Sequence, residues 1–277
     1  MSLTPFTSSL LRLGELRVHL LEAGSPESPK MLLIPGGMGD AELHWHKVLA
    51  ALGTSFHVYA PDLPGFHQES DALKDVSLPQ IMQWINALLR ALKGERVTLV
   101  GTSIGAVLSR FYAAHYPAVV ERLVLVDGGG VADLPGIVRT LLNTPGISHA
   151  FYWDRYRRIY SRAALRRSIF RHDLLTEEFV QRLERASEGF MPLLRTLLSQ
   201  PWPSARTPAC PTLIIWGKED HLTPLREANQ LLSEIPSAEL VLIEQAGHMP
   251  MLEQPEQFMA AIRPFLSREH LQSASDS

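Results

Sequence analysis

Short apolar runs alternate along the chain with segments whose apolar residues recur at helical spacing. Continuous apolar runs of this length are typical of strands in a parallel sheet that is covered on both faces. Residues 10–22 alternate apolar and polar positions around Gly14 and predict a hairpin before the alternation begins. The predicted strands are KMLLIPG, HVYAPD, RVTLVG, VERLVLVDG, PTLIIWG and AELVLIEQAG. The predicted helices are HWHKVLAALG, LPQIMQWINALLRALKG, IGAVLSRFYAAHYP, PLREANQLLSEIP and PEQFMAAIRPFLS.

The alternation stops after Gly130 and resumes near residue 206. Residues 131–205 contain several helical patterns and no strand pattern. The proline-rich stretch PWPSARTPACP then indicates a loop that leads the chain back to the sheet. The pattern predicts one α/β domain, formed by residues 1–130 and 206–277, that is interrupted by a helical domain of residues 131–205.

Composition and charge exclude several classes of protein. Of the 277 residues, 45 % are hydrophobic and 20 % are charged, which is ordinary for a soluble globular protein. The net charge of -3 gives no general attraction for nucleic acid. The single cysteine, Cys210, excludes an intramolecular disulfide framework and is expected to pack as a small hydrophobe. No apolar run reaches the roughly 18 residues that span a membrane, and the N-terminus lacks the features of a signal peptide. We therefore expect a cytoplasmic protein without membrane contacts.

The stretch LVGTSIGAV, residues 99–107, places Ser103 between Gly101 and Gly105. A Gly-x-Ser-x-Gly sequence between a strand and a helix is typical of a nucleophile elbow, a sharp turn that exposes a serine. A serine hydroxyl is a weak nucleophile unless a nearby base accepts its proton and a third group orients that base. The alternative is a small residue in a tight turn.

Two later segments supply candidates for the base and its orienting group. Asp220 follows the predicted strand PTLIIWG, at the edge where sites of open α/β sheets lie. His248 directly follows AELVLIEQAG. The order Ser103, Asp220, His248 is the chain order expected of such a triad. Asp220 could instead cap the following helix, His248 could be a surface loop residue, and Asp127, at the end of another strand, is the alternative acid.

Together these segments resemble the α/β-hydrolase superfamily over almost the whole chain. The matching pieces are PGGMG, APDLPGF, VGTSIG, LVLVD, the helical insertion, WGKED and AGHMPMLEQPEQF. The resemblance implies that Ser103 is the nucleophile, His248 the general base and then acid, and Asp220 its orienting carboxylate. It also implies that residues 131–205 form a cap over the pocket. Within the superfamily, the chain is most similar to capped esterases and carbon–carbon bond hydrolases.

The resemblance further implies an oxyanion hole made of the backbone N–H groups of Gly37 and Ile104. Ile104 follows the nucleophile, and Gly37 lies in the PGGMG loop. The sequence departs from the usual family pattern at Pro35, where many relatives have histidine, and at His67, where glycine is common. Because the expected donors are backbone amides, Pro35 removes neither of them.

The predicted cap is rich in arginine and aromatic residues. Arg155, Arg158, Arg162 and Arg166 recur at helical spacing and are expected to share a face. That face is either simply solvated or steers a carboxylate-bearing substrate to the pocket. The aromatic rings either pack in the core or line an apolar pocket. The residues that we expect to contact the substrate are Met38, Phe151, Tyr152, Tyr156, Arg158 and Met249.

The sequence predicts neither a cofactor nor a metal. The glycines of GGMGD lack the third glycine of a dinucleotide fingerprint and the lysine of a P-loop. His44 and His46 lie two residues apart and therefore on different faces of a helix, and no neighbouring side chain completes a ligand set.

The resulting hypothesis is a cofactor-independent serine hydrolase that cleaves a small or medium carboxylic ester through an acyl-enzyme. The same triad would serve a hydrolase of carbon–carbon bonds in vinylogous diketones, or a thioesterase. A small-molecule sensor with slow turnover is the alternative from another class, whereas an aspartate-nucleophile enzyme is disfavoured by the serine at position 103. We expect a small-molecule substrate and a monomer or homodimer.

Overall fold

The computed structural model describes residues 6–73, 76–130, 135–144, 146–199 and 207–268. Within these ranges the strands are β1 Thr7–Leu13, β2 Leu16–Ala23, β3 Lys30–Ile34, β4 His57–Pro61, β5 Val97–Thr102, β6 Val120–Val126, β7 Thr212–Gly217 and β8 Glu239–Ile243. They form an 8-stranded sheet in the order β1-β2-β4-β3-β5-β6-β7-β8. β2 pairs antiparallel with β1 and β4, and every other pair is parallel. The predicted mostly parallel sheet and its N-terminal hairpin, which turns at Gly14, are confirmed.

Helices of the described residues cover both faces of this sheet and fill the interval between β6 and β7. They are α1 Ala41–Trp45, α2 Leu49–Gly53, α3 Leu78–Ala91, α4 Ile104–His115, α5 Gly136–Leu142, α6 Ile147–Tyr160, α7 Arg162–Ser168, α8 Glu177–Ser199, α9 Leu225–Glu234, α10 Pro250–Glu253 and α11 Pro255–Leu266. The single helix predicted for residues 44–53 is wrong: a turn, in which Val48 N–H donates to the Trp45 carbonyl at 3.0 Å, separates α1 from α2.

The interval between β6 and β7 holds α5 to α8, which we call the helical segment (residues 136–199). The domain boundaries predicted at residues 131 and 205 fall outside the described residues. The arginine face predicted across residues 155–166 is wrong, because Ser161 breaks the helix with ψ 148° and caps α7 through Ala164 N–H. Arg158 therefore belongs to α6 and Arg162 to α7.

The core lies on both sides of the central parallel strands. All residues of β4, β5 and β7 are buried, which matches the continuous apolar runs of their sequences. Each fully buried Leu, Ile or Val contributes roughly 1.5–3 kcal/mol relative to an exposed side chain. Cys210 is buried, as predicted, and burial raises the pKa of its thiol to about 11. Among the described helices, none is both long and apolar enough to cross a membrane.

We predict that Gly105→Ala destabilises the fold. A Cβ at Gly105 would lie 2.4 Å from the carbonyl oxygens of Ile34 and Pro35, so the main chain of α4 or of β3 has to move. Forced overpacking of this kind costs about 1–3 kcal/mol, which a urea unfolding curve would detect as a lower midpoint.

Gly130→Ala is the matched control. Apart from its chain neighbours, no atom of the described residues lies within 4 Å of a Cβ built at Gly130, so its midpoint is expected to stay at the wild-type value. Equal midpoints for the two variants would contradict the close contact between α4 and β3.

Candidate active site

Ser103 lies in the turn between β5 and α4. Its backbone has φ 54° and ψ -119°, a conformation that costs a non-glycine residue about 1–3 kcal/mol and persists only where the surroundings enforce it. The surroundings are closely packed main chain: a Cβ at Gly101 would lie 2.3 Å from the Gly105 oxygen, and a Cβ at Gly128 2.3 Å from the Ser103 oxygen. These contacts require glycine and hold Ser103 in its strained position at the end of β5.

Asp220 and His248 form a buried pair at the ends of β7 and β8. Oδ2 of Asp220 accepts hydrogen bonds from His248 Nδ1 at 2.7 Å and from Thr223 Oγ1 at 2.5 Å. Its Oδ1 accepts from the N–H groups of Leu222 and Thr223 at 2.8 and 3.0 Å. Burial alone would raise the pKa of Asp220, but His248 and these hydrogen bonds lower it below its usual value. Asp220 is therefore an ionised carboxylate that fixes the orientation of the imidazole.

The other ring nitrogen of His248 is available for proton transfer. Nε2 is buried and has no hydrogen-bond partner among the described residues, so it is not bonded to Ser103 Oγ. His44 and Ser103 both lie close to Gly36, since a Cβ at Gly36 would lie 3.0 Å from Ser103 Cβ and 3.1 Å from His44 Nε2. His248 in turn lies near enough to His44 to interact with it electrostatically. Catalytic hydrogen bonds are often long before substrate binds, so this arrangement is compatible with a base that closes on the serine.

Asp127, the alternative acid, occupies a different environment beside Asp220. Its Oδ1 accepts from Gly217 N–H at 2.8 Å, and its buried Oδ2 has no hydrogen-bond partner among the described residues. Burial, and then the charge of Asp220, raises the pKa of Asp127 well above its usual value. Asp127 is thus the neutral member of this carboxyl pair, and Asp220 is the member that accepts the hydrogen bond from His248 Nδ1.

The loop after β3, which we call the glycine loop (residues 35–39), is held from two sides. Gly36 N–H donates to His44 Nε2 at 3.3 Å, and the Gly37 carbonyl accepts from the Tyr160 hydroxyl at 2.6 Å. The peptide between these anchors carries the Gly37 N–H, which no described residue accepts. Ile104 begins α4, where the first N–H groups of a helix lack intrahelical partners. Neither predicted oxyanion donor is therefore engaged by another described residue.

His44 is a residue of the site that the sequence reasoning missed. Its Nδ1 donates to the Asp40 carbonyl at 2.8 Å, so Nε2 is the acceptor for Gly36 N–H. Burial lowers the pKa of His44 to about 4, which keeps the ring neutral and able to accept this hydrogen bond. The four-residue spacing of Asp40 and His44 is the only local signal of the contact, whereas nothing in the sequence near Tyr160 indicates its bond to Gly37.

The sequence of this chain is similar to those of known proteins. A sequence profile of the alpha/beta hydrolase family matches residues 31–261. The chain belongs to the alpha/beta hydrolase family. An uncharacterised protein of Mycobacterium tuberculosis is 32 % identical over 268 residues, which cover 88 % of this chain and 76 % of that protein. The 2-hydroxy-6-oxononadienedioate/2-hydroxy-6-oxononatrienedioate hydrolase of Comamonas testosteroni is 25 % identical over 276 residues, 92 % of this chain and 93 % of that protein.

A solved structure extends the comparison to three dimensions. The crystal structure of a putative lipase from Acinetobacter baumannii superposes with a TM-score of 0.78 and 26 % identity, covering 95 % of this chain and 91 % of the lipase. The α/β-hydrolase fold predicted from the sequence is therefore confirmed, and so is the expectation of a hydrolase.

The residues predicted to contact substrate differ in how close they lie to the glycine loop and to His248. Met38 and Met249 are buried within the glycine loop and beside His248. Phe151, Tyr152 and Tyr156 are half-buried on α6, and the Tyr156 ring lies 5.1 Å from that of Tyr160. Arg158 is exposed and forms an ion pair with Asp154 at 2.6 Å. Tyr156 is therefore one ring removed from the glycine loop, whereas Arg158 points to solvent.

One cluster of the described residues has ligand types suited to a metal. Ligand atoms of His19, Asp62 and His67 lie within 4.8 Å of one another. Both ring nitrogens of His19 are engaged, by Asp62 at 2.5 Å and by Ser8 at 2.8 Å. The His19 and His67 rings stack at 4.0 Å and 12°, so their lone pairs lie in parallel planes and do not converge on one ion. Hydrogen bonding and stacking account for this cluster.

We predict that His44 makes the stability of the hydrolase depend on pH. The folded histidine has a pKa of about 4, whereas an unfolded one titrates near 6.5. Between these values the unfolded chain binds a proton that the folded chain does not, so the contribution of His44 to stability is lost as the pH falls from 6.5 towards 4. This loss disappears in His44→Gln, because glutamine stays neutral. The unfolding free energies of the wild type and of His44→Gln should therefore converge as the pH falls, by at most ~3 kcal/mol.

The measurement is urea unfolding of both proteins at several pH values between 4 and 7.5. Other groups titrate in both proteins and cancel in the difference. Parallel curves over the whole range would contradict a neutral, buried His44.

Proposed function

We propose that this hydrolase is a serine hydrolase that cleaves a small or medium carboxylic ester through an acyl-enzyme. The observation that carries the proposal is the Asp220–His248 pair, in which the ionised carboxylate accepts from Nδ1 and the buried Nε2 has no hydrogen-bond partner in the described parts of the chain. The strained turn at Ser103 supports it, as do the N–H groups of Gly37 and Ile104, for which the described residues supply no acceptor.

In the proposed reaction, Ser103 Oγ bonds to the ester carbonyl carbon and passes its proton to His248 Nε2. Negative charge then develops on the carbonyl oxygen, where the Gly37 and Ile104 N–H groups donate hydrogen bonds; one such donor is typically worth about 3–4 kcal/mol of barrier. The carbon–oxygen bond to the alcohol breaks, and the alcohol leaves with the proton from His248. Water attacks the acyl carbon with His248 as base, and Ser103 regains its proton as the acid leaves.

A carbon–carbon bond hydrolase is the second candidate, because the relative from Comamonas testosteroni is named for that chemistry. The likeness to a putative lipase supports the ester candidate. A thioester would react through the same steps. A sensor with slow turnover would keep the triad geometry but bind its ligand for long times.

We also propose that the helical segment is the cap of this hydrolase, within a cap domain of residues 131–205. Phe190 of α8 lies against Gly37, since a Cβ at Gly37 would be 2.3 Å from its ring. Arg182 of the same helix pairs with Asp40 at 2.5 Å. The segment thus contacts the loop that would bind the oxyanion, as a cap over the substrate would.

We predict that Ser103→Ala abolishes the burst of p-nitrophenol that the wild-type enzyme releases from a p-nitrophenyl ester. Loss of a serine nucleophile lowers kcat by more than ~10³-fold. Rapid-mixing absorbance measures the burst, and mass spectrometry detects the acyl group on the protein. The same pair of proteins tested on thioesters and vinylogous diketones separates the three hydrolytic candidates.

The control is Ser109→Ala, on α4, the helix that follows Ser103. Ser109 is buried and its hydroxyl has no hydrogen-bond partner among the described residues, so turnover should remain near wild type. Undiminished turnover in Ser103→Ala would eliminate the proposed mechanism, and tight binding without turnover in the wild type would favour the sensor.

We predict that Asp220→Asn and Asp127→Asn differ in their effect on kcat. The first variant removes the carboxylate that orients His248, and in serine proteases this change lowers kcat roughly 10⁴-fold. The second replaces a neutral carboxyl group with an amide that still accepts from Gly217 N–H, so its loss should be far smaller. Steady-state kinetics on the same ester measures both. A larger loss in Asp127→Asn would identify Asp127 as the acid instead.

A further inference from the structure

Residues 160–171 run from the last residue of α6 through α7 to the turn that follows it. They contact both the glycine loop and the loop that carries His248. From these contacts we infer that residues 160–171 are a structural part of the catalytic centre, in which Tyr160 positions the glycine loop and Glu253 joins residues 170–171 to the loop of His248. The inference rests on the proposed function and goes beyond a covering role for the helical segment.

The first contact is the hydrogen bond from the Tyr160 hydroxyl to the Gly37 carbonyl, 2.6 Å long and buried. Burial raises the pKa of Tyr160, so its hydroxyl keeps the proton that it donates. The carbonyl belongs to the peptide that follows the Gly37 N–H, and His44 fixes the peptide before it. With both neighbouring peptides held, the direction of the Gly37 N–H depends on Tyr160.

The second contact joins α7 to the loop of His248, which we call the histidine loop (residues 246–249). His248 N–H donates to the Ser168 carbonyl at 2.7 Å. The loop approaches so closely that a Cβ at Gly247 would lie 2.1 Å from that same oxygen. The backbone of the proposed base is therefore bonded directly to the helical segment.

Glu253 of α10 completes this junction. Its side chain is fully buried. Oε1 accepts from the N–H groups of Gly247 and Met249, each at 3.1 Å, on either side of His248. Oε2 accepts from the N–H groups of Phe170 and Arg171 at 2.6 and 3.0 Å. One carboxylate thus bonds four backbone donors from two chain segments, and no single-oxygen acceptor can replace it.

These contacts limit how the helical segment can move. If residues 160–171 hold both loops, the whole helical segment cannot swing away without disturbing the Gly37 N–H and His248. Opening for substrate would then involve α5 and the start of α6, which carry the exposed side chains of Ile137, Leu141 and Ile147.

The first test uses hydrogen exchange and does not depend on activity. In Glu253→Gln, an amide group replaces one of the two acceptor oxygens and faces backbone donors. We predict at least a tenfold faster exchange at the N–H groups of residues 170–171 and 247–249, measured by mass spectrometry of short peptides. Glu219→Gln is the control, because within the described part of the chain Glu219 accepts a single backbone N–H, from Ala246 at 3.1 Å, and the amide oxygen of glutamine can still accept it. Exchange at residues 170–171 should stay at the wild-type rate in this control.

The second test uses kinetics on the ester of the burst experiment. Tyr160→Phe removes only the hydroxyl and should lower kcat roughly 10- to 100-fold with little change in KM, because the misplaced group acts in the transition state. Tyr112→Phe is the control: its buried hydroxyl donates to Asn86 at 2.7 Å, within α3 and α4, and its loss should leave kcat unchanged.

The outcomes distinguish the positioning role of residues 160–171 from the proposed function. Unchanged exchange at residues 170–171 and 247–249 in Glu253→Gln, or equal kcat for Tyr160→Phe and Tyr112→Phe, would overturn the positioning role. Absence of a burst in the wild type would overturn the proposed function, while the exchange data would still decide whether Glu253 joins the two segments.

Discussion

The site depends on close main-chain packing around Ser103. The turn after β5 is pressed between the end of β3, through Gly105, and the loop after β6, through Gly128. β3, β5 and β6 are neighbours in the sheet, so the strained φ of Ser103 is enforced by the register of three parallel strands. Ser103, the proposed nucleophile, is therefore positioned by the most buried part of the fold, and its geometry does not rely on a flexible loop.

The negative charge at the site lies on one of two neighbouring carboxyl groups. Two carboxyl groups, Asp127 and Asp220, lie side by side in the interior, and both could not be ionised there without a large cost. Asp220 receives four hydrogen bonds, including the one from His248, whereas Asp127 receives one from Gly217 and one of its oxygens has no partner among the described residues. The number of hydrogen bonds that each carboxyl group accepts thus decides which one is charged. The charge lies on Asp220, which orients the imidazole of His248.

Local patterns account for what the sequence predicts well. Apolar runs identify the strands, and the glycines around Ser103 identify the turn, because both signals lie within a few residues. The contacts of Tyr160 with Gly37 and of Glu253 with Phe170 link residues 123 and 83 positions apart, and no local pattern reports them. The arginine face was mispredicted because helical spacing continues through Ser161, although serine followed by a polar, helix-forming stretch is itself a start signal.

The surroundings of the glycine loop bear on the choice among substrates. The wall that the helical segment presents there is aromatic: Phe190 lies on Gly37, and Tyr160 packs edge-on against Phe190 with ring centroids 6.2 Å apart. Two arginines of the predicted face, Arg158 and Arg162, are exposed and paired with Asp154 and Glu177. Arg182, which lies near the glycine loop, is already paired with Asp40 and Glu42. Beside the proposed oxyanion site, an apolar acyl group would gain contacts that a carboxylate would not. This wall therefore supports the proposed ester candidate, with an apolar acyl group, over an acidic substrate.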